Sequence, residues 1–147
     1  MINPLLISST VLLGKEFVNQ TITKTTNNIY SNIDDIMVDS NFELKTLLED
    51  LDINTKLDII NSFICNLKED DRTYSKTILK TLDYIIDIFK KIETEIENIK
   101  NEVVEHKKIW FHYFRTPKYK SLIRNLLKHL KILDNRFDIL LNLLKIN

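Results

Sequence analysis

The sequence lacks two small residues that most folds use freely: it contains no alanine and a single glycine, Gly14, among 147 residues. Glycine supplies the backbone conformations of tight β-turns and phosphate-binding loops, so a sheet of several hairpins is disfavoured. Alanine has the highest helix propensity, so any helices must be held by packing of large Ile, Leu and Phe side chains. The sequence therefore favours an all-α fold stabilised by burial.

Motifs for catalysis are also missing. The chain has no G-x-S-x-G, no H-E-x-x-H, no C-x-x-C and no glycine-rich phosphate loop. Its one cysteine, Cys65, cannot form an internal disulfide. We therefore expect no enzyme activity, no cofactor and no small-molecule substrate.

Long apolar runs are absent as well. The longest, from Pro4 to Leu13, is too short to cross a bilayer. It lacks the Lys and Arg side chains that interfacial helices carry, and no signal-peptide pattern precedes it. We expect an intracellular protein, cytoplasmic or carried in a virion, with no role at a membrane.

What the chain does contain is a balanced mixture of 44% hydrophobic and 29% charged residues. This composition is typical of a packed globular protein, and the length suits one core. We predict a single helical domain over residues 1–147, with helices at about 4–37, 41–68, 73–114 and 117–146. The second helix is expected to kink near 52–54, where its apolar phase restarts.

Local signals place the ends of these helices. Pro4 and Pro117 each suit a first helical position, after Asn3 and Thr116 respectively. Ser40 and Glu43 have the spacing of a capping box that opens the second helix. Residues 19–28 contain one strong apolar side chain among polar ones, which leaves fraying or a break of the first helix open.

The strongest pattern is an apolar seam with alternating spacings of four and three, typical of paired helices. Its members in the third helix are Ile78, Leu82, Ile85, Phe89, Ile92, Ile96, Ile99, Val103, His106, Trp110 and Tyr113. The last helix repeats it at Tyr119, Ile123, Leu126, Leu130, Leu133, Phe137, Leu140 and Leu144. We predict an elongated up-down bundle whose last two helices form a long antiparallel, coiled-coil-like hairpin.

A short turn at Pro117 would pair Val103 with His129 and Ile96 with Arg136. Glutamates along the third helix would then face Lys128, Lys131 and Arg136 on the fourth. The apolar stripe narrows between residues 92 and 103, which suits contact with one helix only. The hairpin tip is therefore expected to project beyond the bundle.

Charge is unevenly distributed although the net charge is zero. Residues 41–71 carry 8 acidic and 3 basic side chains, whereas residues 106–147 carry 10 basic and 2 acidic ones. The tip, residues 107–131, mixes cations with aromatics. Candidate contacts to an anion or a partner are Lys107, Lys108, Arg115, Lys118, Lys120 and Arg124, and candidate partner-contact aromatics are Phe111 and Phe114.

Two functions fit this pattern. The first is a non-catalytic interaction or structural module that binds a protein partner or associates with itself; the acidic second helix could receive the basic tip of another copy. The alternative is binding of nucleic acid, or another anionic surface, through the tip. The tip also fits a plain solvated or internally paired surface.

A metal site is not expected. The three histidines are His106, His112 and His129, and Glu102 with His106 lacks the Glu-x-x-His spacing of di-iron bundles.

The excess of Ile, Asn and Lys without alanine resembles proteins of very AT-rich genomes. In its short, helical, feature-poor style the chain resembles small accessory or virion proteins of large DNA viruses. The resemblance covers the composition of the whole chain and no particular motif. The same composition would equally fit proteins of parasites or of AT-rich bacteria.

Overall fold

The computed structural model describes residues 4–69, 73–108 and 119–146, with side chains placed for 20–67, 73–108 and 119–146. Within these ranges there are five α-helices and no strand: α1 (Pro4–Asp39), α2 (Phe42–Leu51), α3 (Ile53–Glu69), α4 (Lys76–Lys108) and α5 (Lys120–Ile146). The all-α prediction is confirmed. The described part of α4, 33 residues long, extends about 50 Å.

The turn between α1 and α2 is capped by Asn41. Its side-chain Oδ1 accepts a hydrogen bond of 2.9 Å from the backbone N–H of Leu44. The predicted capping box was wrong by one residue, because Ser40 still donates its N–H to the carbonyl of Ile36 at the end of α1. Glu43 therefore does not take part in a capping box with Ser40, and it interacts with Tyr119 instead.

The break between α2 and α3 is a single residue, Asp52, in the left-handed conformation with φ 49° and ψ 44°. Aspartate tolerates this conformation better than most residues other than glycine. Asp52 lies within the interval 52–54 where the sequence indicates a kink. The chain therefore bends there and continues directly into α3.

Helices α1 and α4 run parallel, as their polar contacts show. Asn28 Nδ2 donates to Glu93 at 3.1 Å, and further along both helices Lys100 Nζ lies 2.8 Å from Asp35 Oδ2. Further still along both helices, Lys107 Nζ lies 2.9 Å from Asp39 Oδ1. The residue numbers rise together on the two helices, so α4 lies alongside α1 in the same direction.

Helices α3 and α5 complete a four-membered ring. The hydroxyl of Tyr30 in α1 donates to the carbonyl of Asn54 at 3.1 Å, and α3 runs antiparallel to α1. On its other side, Phe63 meets Phe137 of α5 edge to face, with ring centroids 5.4 Å apart. The order around the ring is α1, α4, α5, α3, so α1 and α5 lie on a diagonal.

The buried seam agrees with the apolar pattern. The seam residues of α4 from Ile78 to Val103 are all buried, as are Ile123, Leu126, Leu130, Leu133 and Leu140 of α5. Phe137 and Leu144 are partly buried and pack against this core. The last two helices therefore form the predicted antiparallel pair.

The weak stretch of the first helix does not break. Helix α1 is continuous from Pro4 to Asp39, and Thr25 and Thr26 are buried beside Ile22 and Ile29. Contacts with α3 and α4 hold the helix despite its modest propensity, because burial adds stability that local preference does not provide.

The predicted register of the α4–α5 pair was wrong. Glu95, not Val103, lies beside His129, with Oε1 3.7 Å from Nε2, and Arg136 donates to the carbonyl of Tyr84 at 2.6 Å. The shift is about two helical turns. The prediction took its register from a short turn at Pro117, whereas in the observed register the seam residues of both helices are buried against each other.

The described ends of the predicted tip lie within the bundle, and residues 109–118 of the tip lie outside the described residues. At the end of the described part of α4, Lys107 is level with the last residue of α1, Asp39. The start of α5 is tied to α2 by Tyr119, which is only 2% exposed. Residues up to 108 and from 119 onward therefore belong to the body of the bundle.

Candidate functional site

The cations that end α4 are paired within the chain. Lys107 contacts Asp39, as described above, and Lys108 Nζ lies 3.3 Å from Glu105 Oε1. The side chains of Lys107 and Asp39 are about half exposed, at 49% and 46%, so such a pair contributes only about 0–1 kcal/mol. These two candidate contact residues therefore serve an internal role, at least in part.

The cations that begin α5 differ. Lys120, Arg124, Lys128 and Lys131 are all exposed, and none forms an ion pair within the part of the chain that the structure describes. Spacings of four, four and three place them along one side of the helix over about 17 Å. We call this surface, together with Leu127, the α5 cationic face.

Leu127 is the residue of this face that sequence reasoning missed. It is 47% exposed and lies next to Lys128, one turn from both Arg124 and Lys131. The signal was present in the sequence, because Leu127 directly follows the seam residue Leu126 and falls outside the four-three spacing. A leucine among unpaired cations is the one apolar group this face offers to a partner.

Four further candidate residues, Arg115, Lys118, Phe111 and Phe114, lie outside the described residues. The structure brings Lys120 and Arg124 onto one face and leaves Lys107 and Lys108 at the end of α4. It adds Lys128 and Lys131 to that face. Their predicted ion pairs with glutamates of α4 do not form within the described ranges, so that prediction was wrong.

Tyr119 positions the cationic face. Its side chain is buried and interacts electrostatically with the side chains of Asn41 and Glu43, at the first turn of α2. Burial raises the pKa of the Tyr119 hydroxyl, and the negative charge of Glu43 raises it further. Tyr119 is therefore a structural anchor and not an exposed aromatic available for stacking.

A second surface of interest is a hollow of about 320 Å³ where α1 meets the α2–α3 break. Its apolar side is formed by Ile33, Met37, Leu48 and Ile53. Three carboxylates, Asp34, Glu49 and Asp52, line the rest with Asn54. All three acids are exposed, and none has an ion-pair partner among the residues with described side chains. We call this surface the acid-rimmed hollow.

The Glu95–His129 contact between α4 and α5 is mostly buried. The two side chains are 15% and 19% exposed, and Glu95 Oε2 and His129 Nδ1 are buried without a hydrogen-bond partner in the described structure. A shallow hollow of about 200 Å³ opens beside them, lined also by Asp87, Lys90, Lys91 and Thr94. Within the described ranges, no three His, Cys, Asp or Glu side chains come together to hold a metal ion.

No helix in the described ranges is both long enough and apolar enough to span a bilayer.

The chain is similar to a viral protein, the uncharacterised protein L717 of Acanthamoeba polyphaga mimivirus. The two sequences are 30% identical over 129 residues, covering 70% of this chain. The chain spans 63% of the length of that relative. No family model and no solved structure matches the chain. The expected likeness to a viral protein is thereby confirmed, without a matching motif or family.

Proposed function

We propose that this protein is a non-catalytic helical interaction module and that the α5 cationic face is its docking surface for another protein. The observation that carries the proposal is the exposure of Leu127 among Lys120, Arg124, Lys128 and Lys131, none of which is paired within the described structure. Some cations elsewhere on the bundle, such as Lys100 and Lys107, contact acids of a neighbouring helix. Those of this face remain available to an external partner.

The chemistry of the face favours a protein surface with apolar and acidic groups. A half-exposed leucine gains from burial against apolar side chains, at roughly 25 cal/mol for each Å² removed from water. The flanking cations would then meet carboxylates at the rim, which orients the partner and speeds encounter more than it adds affinity. A partner with both features matches this face better than one with charge alone.

Site-specific photo-crosslinking tests the proposal. A benzophenone side chain replaces Leu127 in the full chain, expressed in its native cell, and Ile139 serves as the matched control because it is 51% exposed on the same helix. We expect protein adducts when the benzophenone is at position 127. Adducts from position 139 should be several-fold weaker. The adducts should disappear when Arg124→Glu and Lys128→Glu are introduced. Equal adducts at both positions, or adducts insensitive to charge reversal, contradict the proposal.

Nucleic acid is the second candidate, favoured by the four unpaired cations along about 17 Å of one helix. If all four contact phosphates, affinity for duplex DNA should fall about 100-fold between 50 and 200 mM salt. Fluorescence anisotropy of a labelled duplex measures this fall. Binding that disappears in Arg124→Gln with Lys128→Gln, but survives Leu127→Ser, would support nucleic acid over protein.

We also propose an accessory or structural role in a virus, within the infected cell or in the particle. The likeness to the mimivirus protein L717 supports this proposal. Mass spectrometry of purified particles and of infected cells tests it: enrichment in particles indicates a virion protein, and absence from both contradicts the proposal.

A further inference from the structure

We infer that the partner of the α5 cationic face is a second copy of this chain, which receives Leu127 in its acid-rimmed hollow. The inference rests on the proposed docking function of the face. It assigns to that face one occupant, a surface with an apolar hollow and negative charges that complement the leucine and the cations.

The hollow provides what the face lacks. Ile33, Met37, Leu48 and Ile53 give it an apolar side, and Asp34, Glu49 and Asp52 add three exposed carboxylates without ion-pair partners in the described ranges. It lies where the helix breaks at the left-handed residue Asp52, between the end of α2 and the start of α3. An uninterrupted helix would continue its ridge of side chains through this position.

The face in turn provides what the hollow lacks. Leu127 is half exposed, with Arg124 three residues before it, Lys128 one after and Lys131 four after. An apolar side chain surrounded by cations therefore matches an apolar hollow surrounded by carboxylates. Burial of the leucine supplies the attraction at short range, and the opposite charges select the orientation.

The two surfaces lie on different sides of one molecule. No residue of α5 lines the hollow, and α1 and α5 are diagonal in the ring. One copy therefore offers its α5 face to a neighbour while its own hollow remains open to another, which is a head-to-tail contact. Such contacts produce closed rings or open filaments according to the rotation between copies. The zero net charge of the chain imposes no overall repulsion on such an assembly.

Charge reversal on each surface tests this inference on the full chain. Variant A carries Arg124→Glu and Lys128→Glu, and variant B carries Asp34→Lys and Glu49→Lys. Sedimentation and light scattering at physiological salt should show concentration-dependent association of the natural chain, at least 10-fold weaker in either variant alone. In an equimolar mixture the reversed surfaces match again, so association should return to within a few-fold of the natural chain.

Matched controls keep the total charge change while leaving both surfaces intact. Lys76→Glu with Lys80→Glu corresponds to variant A, and Asp83→Lys with Glu97→Lys corresponds to variant B; all four residues are exposed on α4. Both controls should associate like the natural chain. Helical circular dichroism should be unchanged throughout, as should thermal midpoints at concentrations where the natural chain is monomeric. Recovery in the mixture itself requires that both variants are folded.

A monomeric natural chain at every concentration, undiminished association of A and B, or no recovery in the mixture would each overturn the inference. These outcomes are distinguishable from failure of the proposed function. Crosslinks from position 127 to a different protein, with a monomeric chain, would keep α5 as a docking face and remove only the second copy. Absence of site-dependent crosslinks would remove both.

Discussion

The cations at the end of α4 and those at the start of α5 belong to the same basic stretch of sequence but have opposite surroundings. Lys107 lies against Asp39 because α4 runs parallel to α1. Within the described ranges the outer side of α5 has no such neighbour, since α5 contacts α4 and α3 through its other sides. Basic composition alone therefore does not identify an interaction surface; the acids of the adjacent helix decide which cations remain available.

The largest expected difference is between the inner and outer sides of the helical pair. Phe89→Ala removes a fully buried ring of α4 and should lower the free energy of unfolding by about 3–5 kcal/mol, because a cavity remains. Leu127→Ala removes an exposed side chain and should change it by less than about 0.5 kcal/mol. Urea denaturation followed by circular dichroism measures both. A cost at Leu127 similar to that at Phe89 would mean that α5 is covered on its outer side.

The next effect compares two cations of α5 itself. Arg136 donates to the carbonyl of Tyr84, lies 5.5 Å from the centre of its ring and is 3.9 Å from Asp87. Arg136→Met should therefore cost about 1–2 kcal/mol of stability, reduced by the partial exposure of the side chain. The matched control Lys131→Met should have almost no effect in the same denaturation experiment. Equal costs would contradict the distinction between paired and available cations.

A smaller effect is expected for the ion pair between α1 and α4. Both Lys107 and Asp39 are about half exposed, so their coupling should be about 0–1 kcal/mol and should decrease with added salt. A double-mutant cycle with Lys107→Met and Asp39→Asn measures the coupling. Arg124→Gln, on the α5 cationic face, should show no coupling with Asp39→Asn, and a non-zero value there would contradict the separation of the two surfaces.

The smallest effect concerns the anchor between α2 and α5 at alkaline pH. The pKa of Tyr119 is raised in the folded protein by burial and by Glu43, so the unfolded chain releases this proton at a lower pH. The protonated Tyr119 hydroxyl therefore contributes to stability in full below the ordinary tyrosine pKa of 10.0. This contribution is lost as the pH rises through the raised pKa of the folded protein. Tyr119→Phe should flatten the loss of stability above pH 10, measured by thermal unfolding against pH. An unchanged slope would contradict burial of this hydroxyl.

Tyr30 is the control for this measurement. Its pKa is also raised, by burial and then by the charge of Asp58. Tyr30→Phe should leave the contribution of Tyr119 in place, so the two substitutions together should flatten the alkaline slope more than either alone.

Much of the candidate site was recognisable from sequence, but its pairing was not. The basic bias and residues Lys120 and Arg124 follow from composition and spacing. That Lys107 faces Asp39 does not follow, because the parallel contact of α1 and α4 joins residues 68 positions apart. Leu127 was overlooked since its exposure depends on which side of α5 the neighbouring helices cover.

By itself the sequence determined the all-α class, the antiparallel last pair and the buried seam, because helical spacing of large apolar residues specifies which face must leave water. Tertiary structure alone decided the register of that pair, the continuity of α1 through its polar middle and the hollow at Asp52. Each of these depends on the height and angle at which separate helices meet. Such relations arise from packing between distant segments, and no local pattern within one helix encodes them.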